Sequence, residues 1–188
     1  MSRSANFSND LCNELRQRIP SHCWSTEWKP VKGSRESVDV VGFPKPGDQS
    51  KHTILIEVEL RRGDPASNII KIWQWIEQRD LPDSSTRDGE NTTPKKLVLF
   101  QGFSKVYRLV KRPNMTKKAR DARFVGTLFQ SLNRGVSYIP LSFEYHPYKG
   151  AHEGGGARKR AARRLSKKIL AKWRKIRRAK RGTEKKSR

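Results

Sequence analysis

Residues 54–60, ILIEVEL, constrain the fold more than any other stretch of the chain. An extended backbone sends successive side chains to opposite faces. Ile54, Ile56, Val58 and Leu60 therefore share one face of a strand, and Glu57 and Glu59 share the other with Arg61. The segment ESVDVVGFP (36–44) alternates in the same way, with Ser37, Asp39 and Val41 on one face and Val38 and Val40 on the other. Between the two lies PKPGDQS (44–50), a turn by composition, so the pair predicts an antiparallel hairpin.

The flanking segments supply the remaining layers. Ser8 or Asn9 is the expected cap of a first helix with Leu11, Cys12, Leu15 and Ile19 on its apolar stripe, ended by Pro20. A short strand is expected around His22–Trp28. After the hairpin, Pro65 opens a helix to about Gln78 whose stripe is Ile69, Ile72, Trp73 and Ile76. A polar loop (79–94) leads to a buried strand, KKLVLFQG. A helix over Lys117–Leu132 follows, with Val125, Leu128, Phe129 and Leu132 inward, and GVSYIPLSFE is the last strand. Helices and strands in the order α-β-β-β-α-β-α-β predict a mixed α/β domain over residues 1–150, its sheet flanked by helices.

The charge sits elsewhere. Of the formal +24, residues 158–188 hold 17 Lys and Arg against one acid, Glu184, leaving 25 basic and 17 acidic residues for the rest. Residues 151–157, containing EGGGA, are read as a Gly-rich linker, and 158–188 as a basic amphipathic helical tail with Leu165, Ile169, Leu170, Trp173 and Ile176 along one stripe. Such a tail should order only against a polyanion or a packing surface. Counterion release makes nucleic acid its first expected partner, through Arg163, Arg164, Lys167, Lys168, Lys172, Arg174, Arg177 and Arg178. An oligomerisation helix and a membrane-surface helix are the other readings of the stripe. No run reaches membrane-spanning length, and no apolar leader opens the chain. Cys12 and Cys23 lack metal-knuckle spacing and are expected as reduced thiols. These features predict a soluble, intracellular protein, nuclear in a eukaryotic host, where ARKRAARR would pass for an import signal.

Asp39 near the hairpin partner of Glu57 would gather three acids with Glu59. Oxygen-only ligands suit a hard divalent cation, Mg²⁺ or Mn²⁺, and Glu14 of the first helix is a candidate fourth member. The competing reading is a polar strand face in solvent, with Glu59 paired to Arg61 or a neighbouring lysine. The four histidines, His22, His52, His146 and His152, are scattered, and Trp73 and Trp75 are expected in core or interface.

The helix, three strands, helix, strand order, with Asp39 on the second strand and EVE on the third, resembles the PD-(D/E)XK nuclease superfamily, the restriction-endonuclease-like fold. The resemblance covers roughly residues 9–102 and excludes the tail. It implies an αβββαβ core, with Asp39 and Glu57 as metal-binding acids and Glu14 as the first-helix acid of many members. Two positions depart from the pattern: Val38 stands where proline is usual, and Glu59 stands where lysine is usual. Lys71 resembles the migrated lysine of some members, and Gln74 is a second candidate to reach the site. A helical wheel on the stripe above places Lys71 almost opposite it.

The implied activity is Mg²⁺-dependent hydrolysis of a DNA phosphodiester by Asp39, Glu57, Glu59 and Lys71, with Arg61 and Arg62 near the phosphate; RNA is the other candidate substrate. Cutting both strands of a duplex calls for a homodimer or two visits. A non-enzymatic nucleic-acid-binding protein on the same fold, its site decayed at Glu59, is the alternative.

Overall fold

The computed structural model describes residues 3–30, 34–47, 52–60, 63–78, 96–108, 113–147 and 154–184. The elements run α1 (Arg3–Arg18), β1 (His22–Trp28), β2 (Val38–Pro44), β3 (Thr53–Glu59), α2 (Ala66–Glu77), β4 (Leu97–Phe103), a 3₁₀ turn (Lys105–Arg108), α3 (Pro113–Leu132), β5 (Val136–Ser142) and α4 (Gly154–Glu184). The five strands form one mixed sheet in the order β1-β2-β3-β4-β5. β1, β2 and β3 are antiparallel neighbours, whereas β4 and β5 run parallel to β3. Helices cover both faces, the arrangement expected of central strands buried on both sides. All seven residues of β3 and all seven of β4 are buried.

α1 begins five residues ahead of the expected cap, and Ser8 is buried inside it. The reason is Phe7, which extends the Leu11–Leu15 stripe by a turn and meets Phe143 and Tyr145 at centroid distances of 5.3 and 5.4 Å. α3 is rotated from its expected seat. Ala119, Ala122 and Phe129 face the sheet, while Leu128 and Leu132 are exposed with Phe124. Gly126 lets this helix approach β5 closely, its backbone lying against the Tyr138 ring.

α4 departs most from expectation. Residues 154–157 form its first turn rather than a linker, and 151–153 lie outside the described residues. Ala161, Ala162, Leu165, Ser166, Ile169 and Trp173 are buried, against α1 and the Ile54–Ile56–Val58 face of β3. Leu165 lies over Gly102 late in β4, where a Cβ would stand 3.3 Å from its side chain. Trp173 meets the rings of His22 and His52, at 5.4 and 5.3 Å, near the starts of β1 and β3. α4 therefore runs antiparallel to β3. Arg158 bonds Asp10 of α1 at 2.6 Å, and Ser166 accepts from Arg18 at 3.0 Å. The packing surface that orders this like-charged helix is the chain's own domain. Among the described residues no helix is long and apolar enough to cross a membrane.

Candidate active site and basic surface

The hairpin opens where its charge is. β2 and β3 pair at Gly42–Ile54, Val41–Leu55 and Val40–Ile56, and there the ladder ends. Asp39 and Glu57 would be the next partners. Instead the Asp39 side chain turns into the gap, and its Oδ2 accepts the Val58 N–H at 2.7 Å. A carboxylate thus satisfies the donor that the missing ladder would strand.

Glu57 and Glu59 face α2 and α3, on the same side as Leu55, and are 2% and 1% exposed. The solvent-facing reading of the pair is therefore wrong. Burying two carboxylates is costly unless each meets a cation or donors, and each does. Lys71, itself buried on α2, places Nζ 2.9 Å from Glu57 Oε1 and donates to the Ser37 carbonyl at 2.5 Å. The Lys71–Glu57 contact is an ion pair at an angle outside a well-formed hydrogen bond. Burial first, then the neighbouring Asp39 carboxylate, pushes the Glu57 carboxyl well above the usual carboxylate range, and Lys71 opposes the shift.

Glu59 is held differently. Its Oε1 accepts from Asn68 Nδ2 at 2.8 Å and from Gln101 Nε2 at 2.7 Å. Gln101 also donates to the Pro65 carbonyl at 2.8 Å, and its Oε1 accepts the Tyr138 hydroxyl at 2.7 Å. Burial raises the Tyr138 phenol far above its ordinary value, so it stays a donor throughout the working pH range. Asn68, Gln101 and Tyr138 were not foreseen from sequence. The signal available was Gln101, the one amide inside an otherwise apolar strand, since a buried amide requires partners.

The wheel argument against Lys71 fails because the inward arc of α2 is centred elsewhere. Asn68, Ile69, Lys71, Ile72, Trp75 and Ile76 are buried, Trp73 is half-buried, and Gln74 is exposed. At 3.6 residues per turn, this arc is rotated by roughly 60° from the purely apolar stripe. Asn68 and Lys71 follow the carboxylates inward.

Glu14 does not join this cluster. It lies on α1, which packs on the opposite face of the sheet, and its Oε2 is bonded to Arg18 at 2.8 Å. Arg61 and Arg62 lie outside the described residues. On α4, Arg163, Arg164, Lys167, Lys168, Lys172, Arg174 and Arg178 are exposed and Arg177 is half-buried. Lys168 Nζ donates to the Ser142 carbonyl at the end of β5. His22 and His52 meet across a 3.0 Å contact between His22 Nε2 and the His52 carbonyl, at the far end of β3 from the glutamates; His152 lies outside the described residues.

Asp39 and Glu57 offer oxygen alone, the donor type that Mg²⁺ and Mn²⁺ take, and Glu57 Oε1 is a buried oxygen without a well-formed hydrogen bond. The pair fits such a cation. Among the described residues no group of three His, Cys, Asp or Glu side chains stands arranged to hold a metal. Water and substrate oxygens would complete the shell, as is usual for Mg²⁺.

Gly126 of α3 keeps the amide network in place from outside. A Cβ there would lie 2.3 Å from the Tyr138 ring, so the ring rests directly on the helix backbone. Gly126→Ala is expected to push Tyr138 off Gln101 and destabilise the fold by about 1–3 kcal/mol, measurable as a shift in the urea midpoint.

Comparison with known proteins returned no match to a family model, to a curated protein or to a solved structure.

Proposed function

We propose that the chain is a Mg²⁺-dependent DNA endonuclease with a PD-(D/E)XK, restriction-endonuclease-like core. The observation that carries this reading is the gathering of Asp39, Glu57 and Lys71 at the fork between β2 and β3. A buried acid and a buried lysine beside a half-buried acid at a strand fork are costly as scaffold and useful for phosphoryl chemistry.

In this reading Asp39 and Glu57 hold the metal, which supplies Lewis acidity toward a phosphoryl oxygen and a more acidic water. Asp39 is oriented at the fork by its bond to Val58 N–H. Lys71, whose amine reaches the fork beside Glu57 in the metal-free protein, would face the charge that builds on the phosphate. Glu59 takes neither the lysine's role nor the metal's. By holding Asn68 it fixes the rotation of α2, and Lys71 follows three residues later on the same face. The exposed arginines and lysines of α4 would grip phosphates from a rigid base, with little sequence preference and steep salt dependence.

The test is cleavage of supercoiled plasmid, linear duplex and branched DNA, with single-stranded RNA alongside, in Mg²⁺, Mn²⁺ or EDTA. The parent is expected to cut only with metal. Asp39→Ala is expected to lose on the order of 10³-fold or more in rate while still retarding DNA in a gel. If both proteins retard DNA and neither cuts it, the non-enzymatic binding reading replaces this one.

A further inference from the structure

We propose that Lys71 is an exchangeable counter-cation, holding Glu57 in the metal-free protein and releasing it to an arriving divalent cation. Lys71 would thereby set the metal affinity of the site. The inference rests on the metal-dependent reading above.

Three observations carry it. Lys71 Nζ stands 2.9 Å from Glu57 Oε1, a buried oxygen that is one of the two acids able to bind metal. A divalent cation bonded to that oxygen at about 2.1 Å would stand close to the ammonium, and like charges so close repel strongly in a partly dry site. The two compete for the same carboxylate.

The ammonium also has somewhere to remain. Its second contact, at 2.5 Å, is the Ser37 carbonyl, two residues before Asp39 on the opposite side of the fork. An ammonium carries three donors, so Lys71 can keep Ser37 and turn the others toward a bound phosphate.

Finally, the backbone need not move. Asn68, one turn earlier, is locked to Glu59, and Glu59 is locked to Gln101. The exchange is a side-chain rotation on a fixed helix. In the metal-free protein the lysine meets the need of a buried carboxylate for a positive neighbour; the metal meets it afterwards.

The test measures Mn²⁺ binding to the full chain by calorimetry and by the paramagnetic signal of free Mn²⁺, at one constant alkaline pH. Lys71→Gln removes the charge but keeps a donor for Ser37. It is expected to bind Mn²⁺ on the order of tenfold more tightly than the parent. Lys71→Arg, which keeps the charge, should bind no more tightly than the parent, and Asp39→Ala should lose binding. A second readout uses the parent alone: the Lys71 side-chain amine resonance, assigned by its loss in Lys71→Arg, should shift as Mg²⁺ is added. This readout stands even where Lys71→Gln fails to fold. If Lys71→Gln binds no more tightly, or the lysine resonance does not respond while the parent binds metal through Asp39, the exchange is overturned and the metal site stands. If neither the parent nor Lys71→Gln binds Mn²⁺, the exchange and the metal-dependent reading fall together.

Discussion

Trp173→Ala is expected to cost about 3–5 kcal/mol of stability, a large part of what a domain of this size has. The indole is 1% exposed, although it belongs to the most basic segment of the chain. It fills a site walled by His22 and His52, whose rings meet it edge-on. Truncation would leave a cavity between α4 and the sheet, and those two histidines would lose their ring partner. Ending the chain before Gly154 is expected to have a larger effect, uncovering Phe7, Leu11, Leu15, Val58 and Phe143 at once. Circular dichroism across a urea gradient, for the parent, Trp173→Ala and the shortened chain, measures both. A tail that only tethered nucleic acid would leave the midpoint unchanged. The structure requires that it fall, and that the shortened chain show no cooperative transition.

Replacing Glu59 by lysine, the residue usual at the position it would match in PD-(D/E)XK nucleases under the proposed reading, is expected to destabilise the protein by about 3–5 kcal/mol. Glu59 Oε1 receives two amide N–H donors. The Gln101 amide cannot turn over to meet an ammonium, because its Nε2 also serves the Pro65 carbonyl and its Oε1 receives the Tyr138 hydroxyl. Glu59→Gln keeps an acceptor and should cost only about 1 kcal/mol, part of it offset by relief of the repulsion that Glu59 exerts on Glu57. Thermal or urea melts of the two variants give the comparison. A Glu59→Lys protein as stable as the parent would show that the amide network does not hold Glu59 as described.

The contrast between these positions shows what the sequence could convey. The β2–β3 hairpin, the face shared by Ile54, Ile56 and Val58, and the placement of Glu57 and Glu59 opposite them were legible, because period-two alternation survives any tertiary context. The burial of those glutamates was not. Alternation reports which face a residue takes, and only the later elements α2 and α3 decide whether that face is covered. Lys71 was misjudged for the related reason that a wheel built on apolar residues alone ignores polar groups drawn inward by a buried charge. With α4 the charge dominated the composition, and the stripe from Leu165 to Ile176 was visible, but nothing local says that its partner is Phe7, Leu11 and Leu15, some 150 residues away. The glycines before it read as a linker because a first helical turn, lacking preceding hydrogen bonds, tolerates them better than a helix interior does.

That distance in sequence has a consequence for how the protein is made. α1 and α4 are joined by Arg158–Asp10 and Arg18–Ser166, each spanning 148 positions. A ribosome releases α1 well before α4, so the part of α1's apolar side that α4 covers waits uncovered while the elements between them are made. Closure of the domain is thereby a late, long-range event, slow by topology and exposed to aggregation in the interval.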